Sequence, residues 1–551
     1  MTLKNGFFRE HLQLNKTILK NGPFRLFWKI GFFVLFAFLI SISIYIINFS
    51  FSNNGLNLFF ESLKDFFSPS SFSSTYNHNL FYISFTFLWN SIKLVFLSTF
   101  FGFILAFLTA YLSNMKTNSK YIAIPVKVFV IFLRIFPELF FIYLFKISFD
   151  KNLAISLIYC WFTWLWLHEY FSQTIENANF NIFYHISKAK NSKFKAFWIE
   201  IWPQIRKKFI SYYFYAFETN LRWSAILANL GYLGMGILIN PQENPVNYSQ
   251  LLVPLFVLVS FLFLLEIISE YFNKFFFVSK STNDINFKKY NSKKIIKRIL
   301  ALFFIIVGIV IAAITIQNLT NQHFHKTETI HFFKKMFQGD WGQITWNFSN
   351  DGIFWILLQL SSLVFLTFIL VYIISYFRMM LMTKKLVGKP VEMFYKYFNI
   401  FIKSIPAVIL FLLISNLFNE FSAAFVFAFA IHSSASLSRN LYQTINNVSE
   451  TKISELKKLK YSNFWIYRNY IRPKIKLDFI TFSSFELEKI TRNFITYGSL
   501  SSSLLGQKAN LSRAKDIGDI SPYLWIGFII IAFINLFTYL LRVKLTKQKW
   551  I

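Results

Sequence analysis

The sequence predicts an all-α polytopic membrane protein built from two tandem six-helix domains, about 12 transmembrane helices with both termini cytoplasmic. Three observations carry this. The 551 residues are 55% hydrophobic and only 15% charged, which is more apolar surface than a soluble core of that length needs. Apolar stretches close to the roughly 20 residues that cross a bilayer recur six times in each half. The halves also repeat one another: Lys190, Pro203, Glu218 and Arg222 return 270 residues later as Lys460, Pro473, Glu488 and Arg492, a period that marks a duplicated unit.

In order, the stretches lie near 29–49, 84–113, 128–147, 152–172, 209–239 and 251–272, then near 298–317, 353–377, 397–416, 421–441, 478–507 and 521–541. They divide the chain into a cytoplasmic basic tail (1–28), a first domain (29–272), a polar cytoplasmic linker (273–297), a second domain (298–541) and a short tail (542–551). The first stretch follows a basic tail and shows no small-residue cleavage site, so it reads as an uncleaved anchor.

The net charge of +32 is explained by where the cations fall. Lys4, Arg9, Lys16, Lys20, Arg25 and Lys29 precede the first span and fix the amino terminus inside. Alternation then places the clusters Lys188/Lys190/Lys193/Lys195, Lys288/Lys289/Lys293/Lys294 and Lys384/Lys385/Lys389 inside as well. Such a face favours anionic lipid headgroups and leaves no charge pattern that calls for nucleic acid. The single cysteine, Cys160, allows neither an internal disulfide nor a cysteine metal cluster.

Two features in each half go beyond a plain bundle. The first is a long inner loop, 176–208 and 446–476, which reads as a short helix, a turn, a second helix and a proline. Lys190, Ser192, Phe194 and Pro203 mark it in one half, and Lys460, Ser462, Phe464 and Pro473 in the other. Basic, aromatic helices of this kind also lie on lipid surfaces, but repetition in register favours a docking element. The second feature is the charged pair Glu218/Arg222, echoed by Glu488/Arg492. Its i,i+4 spacing puts both groups on one helix face, as a structural ion pair or as part of the wall of a polar pathway. Gly231, Gly234 and Gly236 follow the first pair and permit close backbone approach. The second half keeps only Gly506, near Ser501, Ser502 and Ser503. A further echo, Arg134 to Pro137 against Lys403 to Pro406, places a proline inside a span, where a kink is expected.

On these motifs the chain resembles the permease subunits of bacterial ABC importers of the phosphonate type. The resemblance rests on Arg134 with Pro137, the loop ending at Pro203, and Phe217-Glu218-Thr219-Asn220-Leu221-Arg222 running on to Gly236. It covers about 85–272 well and about 353–541 more weakly, as two permeases fused in one chain. Two departures stand out. The glycine usual in the family's coupling loop is Lys190 or Lys460 here, and the second half reads Leu487-Glu488-Lys489-Ile490-Thr491-Arg492.

The resemblance implies two type I importer permease domains working by alternating access, with loops 176–208 and 446–476 gripped by two ATPase subunits and solute delivered by a binding lipoprotein. It places Pro137, Pro406, the two Glu/Arg pairs and the glycines along the pathway or its gate. The solute it implies is a phosphonate, phosphate ester or similar oxyanion, with thiamine or thiamine pyrophosphate as the alternative. No Gly-x-x-x-x-Gly-Lys-Ser/Thr phosphate loop occurs in the sequence, so ATP and Mg belong to the partner ATPase. A secondary transporter would also show internal repeats, but it has no use for a duplicated docking loop. Its intramembrane charges would be Glu169, Arg439 and the two pairs. A membrane enzyme would need a clustered site, and His168-Glu169 is followed by Ser172 where a zinc-binding helix needs histidine. Neither a catalytic nor a metal site is expected.

Overall fold

A computed structural model describes the chain except for residues 1, 6–8, 15–16, 25, 228–233, 240–246, 278–286, 447, 512–513, 515 and 547–551. The tail holds three short antiparallel strands, Thr2–Asn5, Arg9–Leu14 and Thr17–Phe24. The membrane body is all helix. Its first half comprises α1 (Leu26–Ile47), α2 (Gly55–Phe67), α3 (Leu80–Leu112), α4 (Lys120–Ile135), α5 (Glu138–Ser148), α6 (Lys151–Glu176), α7 (Phe183–Ala189), α8 (Lys193–Ala196), α9 (Trp202–Leu227), α10 (Met235–Ile239) and α11 (Leu252–Phe277). The second half begins with α12 (Phe287–Leu319), α13 (Lys326–Gln338), α14 (Ile353–Leu381), α15 (Lys384–Val387), α16 (Lys389–Ser404), α17 (Ala407–Ser415) and α18 (Phe421–Asn446). It ends with α19 (Glu450–Lys458), α20 (Asn463–Ile466), α21 (Arg472–Lys474), α22 (Lys476–Thr496), α23 (Leu504–Lys508) and α24 (Ile517–Thr546).

Among the described residues, seven helices are long and apolar enough to cross a membrane: α1, α3, α11, α12, α14, α18 and α24. The number rises to nine if each of two bent pairs, α4 with α5 and α16 with α17, counts as one span. Nine of the expected twelve are thus apolar enough by composition alone. The other three stretches are α6, α9 and α22, at 26, 26 and 21 residues. They are long enough, but they carry the charges Glu169, Glu218, Arg222, Glu486, Glu488 and Arg492. Packing of α6 and α9 on each other and on α3, and of α22 on α14, α18 and α24, surrounds them with protein in place of lipid.

The stretches 128–147 and 397–416 are not straight spans. They break by 87° and 82° between α4 and α5 and between α16 and α17. Pro137 and Pro406 lack an N–H, and a proline drives the residue before it out of the helical region. Phe136 accordingly sits at φ −57°, ψ 140° and Ile405 at φ −75°, ψ 122°.

The halves interlock. α1 packs on α14 of the other half, and α12 packs on α3. α13 lies on α5, and α2 lies on α17. Two matching clasps close the outer ends of these crossings. In one, Phe51 pairs with Phe418, with Ser52 N–H donating to Leu417 O at 3.0 Å and Asn419 N–H to Ser50 O at 3.1 Å. In the other, Phe149 pairs with Phe324, and His325 N–H donates to Ser148 O at 2.8 Å. One hydrophobic core runs through both halves, and a smaller one, centred on Phe171, Phe183, Phe197 and Phe209, lies beneath the first inner loop.

Candidate functional site

The inner loops have the same construction in both halves. α7 and α19 each end in a turn with one residue in the left-handed region, Asn191 at φ 47° and Lys460 at φ 61°. Closure is by Ser192 N–H to Ser187 O at 3.2 Å and by Tyr461 N–H to Leu456 O at 3.3 Å, the six-to-one bond of a helix that ends in a left-handed residue. The position a glycine would suit in the first half is thus Asn191, one residue beyond the Lys190 expected from sequence; Lys190 itself has φ −95°. Asparagine tolerates this conformation better than lysine does.

Ser192 and Ser462 then cap the next helix, accepting from Lys195 N–H at 3.3 Å and Trp465 N–H at 3.2 Å. In place of one continuous α-helix, a π turn follows at Phe197–Ile201 and at Tyr467–Ile471. Pro203 and Pro473 come two residues after its end, and each lacks the N–H an α-helical bond would use. Phe197, Ile201, Tyr467 and Ile471 are fully buried, with Phe197 against Tyr111 and Tyr467 against Tyr376 at centroid separations of 5.0 and 5.1 Å. Phe194 and Phe464 meet the same Tyr111 and Tyr376 rings edgewise, at 5.8 and 6.3 Å, yet stay 53% and 45% exposed, and Lys190, Lys460, Pro203 and Pro473 are exposed as well. The two loops therefore present one surface twice.

The charged pairs are buried, and each has a partner in the other half. Glu218 lies 3.3 Å from Arg222 and also 3.3 Å from Lys403. Arg222 donates to the carbonyl of Lys403 at 2.8 Å, a backbone group left open where α16 breaks before Pro406. Lys403 further rests 5.0 Å from the centre of the Tyr215 ring. In the second cluster Glu488 lies 3.0 Å from both Arg492 and Arg134. Arg492 donates to the carbonyl of Phe136 at 3.1 Å and also to that of Arg134, at the break of α4 before Pro137. Each arginine thus satisfies the end of the opposite half's broken helix, where orphan carbonyls and the helix dipole favour a cation. Sequence reading singled out Arg134 and Lys403 as part of a proline motif and missed their role as ion partners.

The first half's Asn220 donates to Thr99 Oγ1 at 2.9 Å and Thr163 Oγ1 at 2.7 Å, tying α9 to α3 and α6. Its counterpart in the second half is the buried Ile490. Ser433, which matches Thr163, has no hydrogen-bond partner for its hydroxyl. Gly234 and Gly236 are buried, and Gly231 lies outside the described residues. Gly506 makes the close approach a glycine permits: a Cβ there would stand 2.6 Å from Ile495 O and 2.8 Å from Phe494 O. Ser502 and Ser503 donate to that same Phe494 carbonyl at 2.7 and 2.6 Å.

At the second cluster lies a cavity of about 130 Å³ whose walls come from both halves. Arg134, Glu138, Glu169, Glu488 and Arg492 line it, together with Glu486 and Lys489 on α22 and the rings of Trp166, Tyr215 and Trp223. Its polarity is one-sided about the repeat. Where this side has Glu138, Glu169, Glu486 and Lys489, the matching positions are Ala407, Arg439, Ala216 and Thr219. On the outer face one clasp is likewise charged and the other neutral. Asp150 accepts from His323 N–H at 2.8 Å and meets His325 Nε2 at 3.0 Å, and these bonds hold its carboxyl below the ordinary carboxylate range. In the other clasp Asn419 donates to Ser50 Oγ at 3.1 Å.

Interlocked apolar helical halves, with a cavity walled by both, describe a multi-pass protein of the cell membrane. The sequence is 28% identical over 536 residues to the ABC transport system permease protein p69 of Mycoplasma genitalium, covering 95% of this chain and 97% of that one. It is 29% identical over 466 residues to the protein of the same name from Mycoplasma pneumoniae, covering 81% of this chain and 83% of that one. The likeness supports a transmembrane permease of an ABC transporter, a transport subunit and not an enzyme. No family model and no solved structure matches the chain.

Proposed function

We propose that this chain forms the translocation pathway of an ATP-driven importer, with two ATPase subunits docked on its inner face and a binding lipoprotein delivering a small solute to its outer face. The observation that carries the reading is the inner loop built twice on one plan, at 176–208 and 446–476, each leaving a phenylalanine, Phe194 or Phe464, about half exposed among exposed basic residues. ATP and Mg are held by the ATPases. Closure of the ATPases on ATP moves the two loops, and each loop continues through its proline into the helix that carries Glu218 and Arg222 or Glu488 and Arg492. Because those residues grip the broken helix of the opposite half, movement of a loop is passed across the interface to the cavity wall. The two conformations differ in how they bind ATPase and solute, which is what couples the sites.

The resemblance to phosphonate-type permeases makes the solute a phosphonate, phosphate ester or similar oxyanion. Lys489, 3.8 Å from Glu486 with its side chain 39% exposed, is the cavity cation with most room for such a group. The test is purification of the chain in mild detergent with identification of what accompanies it. An ATPase at two copies per chain is expected, and Phe194→Ala and Phe464→Ala should each lower transport-linked ATP hydrolysis by roughly tenfold or more, as for an interface anchor. Robust uptake by the chain alone in liposomes would overturn the reading in favour of a secondary transporter.

A further inference from the structure

The cavity holds four carboxylates, Glu138, Glu169, Glu486 and Glu488, against three cations, Arg134, Lys489 and Arg492. The cations are largely committed to partners already present. Arg134 is divided between Glu488 at 3.0 Å and Glu169 at 3.1 Å, while Arg492 serves Glu488 and two backbone carbonyls. Two carboxylates remain under-served. Glu138, 4% exposed, accepts one hydrogen bond, from Thr496 Oγ1 at 3.2 Å, and among the described residues no cation lies within the 4.0 Å of an ion pair. Glu486, also 4% exposed, accepts from Ser436 Oγ at 2.7 Å through one oxygen. Its other oxygen is buried without a hydrogen bond, with Lys489 at 3.8 Å.

A carboxylate buried in a low-dielectric setting is stabilised by a compensating charge, and without one it tends to take up a proton. Here they face a space bounded by the rings of Trp166, Tyr215 and Trp223, whose faces attract cations. The matching positions of the other half, Ala407 and Ala216, carry no acid, so neither carboxylate is a feature that both copies of the repeat need.

We propose that Glu138 and Glu486 receive a cationic group of the transported solute, which makes that solute a zwitterion or a cation and not a bare oxyanion. The proposal rests on the reading of this cavity as part of the translocation pathway.

The experiment uses the purified full chain in lipid nanodiscs, with tetramethylammonium and methylphosphonate as probes and ligand-detected NMR as the readout. Tetramethylammonium is expected to bind and methylphosphonate not to displace it. Glu138→Gln should weaken the cation's binding by about tenfold or more, the worth of a buried contact with a charged group, while Glu138→Asp should keep most of it. Glu486→Gln should weaken it as well, and it decides the question if the Glu138 variant fails to accumulate in the membrane. Binding of methylphosphonate without the cation, no binding of the cation, or cation binding indifferent to both glutamine variants would each overturn the proposal. None of these outcomes depends on an ATPase, so a failure here is distinct from a failure of the importer reading.

Discussion

At Glu218 two cations, Arg222 and Lys403, converge on one carboxylate, whereas at Glu488 the two arginines, Arg134 and Arg492, face two carboxylates because Glu169 joins them. The position matching Glu169 in the other half is Arg439, paired with Glu266 on α11. Geometry has been kept across the duplication: in both clusters an arginine one turn beyond the glutamate holds the carbonyl end of the opposite half's broken helix. Charge has not been kept. The shared geometry joins the helix that follows one half's inner loop to the other half's broken helix. The divergent charges belong to the cavity, which lies on one side of the repeat.

This difference makes the two glutamates unequal. Glu218→Gln leaves Arg222 and Lys403 facing each other with no other described carboxylate within ion-pair distance, and the expected loss of stability is about 3–5 kcal/mol. Glu488→Gln leaves Arg134 with Glu169 and Arg492 with its carbonyls, so a smaller loss of about 1–3 kcal/mol is expected. Thermal unfolding of the two variants in the same detergent checks the order, and equal losses would break the comparison. For the same reason the swap Glu218→Arg with Arg222→Glu should rescue nothing, because the new arginine would meet Lys403 and the Lys403 carbonyl would lose its donor.

A middle-sized effect is expected at the amide found in one half alone. Asn220→Ala strips a donor from Thr99 and Thr163 and should cost about 1–3 kcal/mol. Ile490→Ala in the matching place removes only packing, so its loss should be indifferent to Ser433→Ala, whereas the Asn220 loss should shrink when Thr163→Ala is added. A double-mutant cycle on each half reads this coupling directly.

The smallest effect concerns the loop turns. Lys460→Gly should stabilise by about 1 kcal/mol, the cost of a left-handed lysine. Asn191→Gly should gain less, since asparagine tolerates that conformation better. Unfolding midpoints of the two variants sharpen or break the assignment of Asn191 in place of Lys190.

Much of this architecture was readable from residues alone. The 270-residue offset matched the two loops, the two pairs and the two prolines, because a repeat conserves local chemistry. A repeat does not say which copy touches which. The partnership of Glu218 with Lys403, and of Arg492 with the carbonyls of α4, is a crossing of halves that no spacing encodes. The charged faces of α6, α9 and α22 read as ordinary spans for a similar reason: apolar length was visible, but the protein neighbours that replace lipid were not. The 87° and 82° breaks exceed a kink because Arg492 and Arg222 supply, from outside the helix, the donors that a broken end lacks.

The crossing of the first helices also sets a schedule for assembly. α1 ends at Ile47, and the helix it rests against, α14, begins at Ile353. Some 300 residues must therefore leave the ribosome before α1 meets its neighbour, on the order of 15–60 s at ordinary synthesis rates. For that interval α1 is held by lipid alone, and its run of exposed apolar side chains, from Leu26 through Phe38 and Leu39, suits it to wait there. Joining the halves in one chain ensures that the awaited helix arrives beside it.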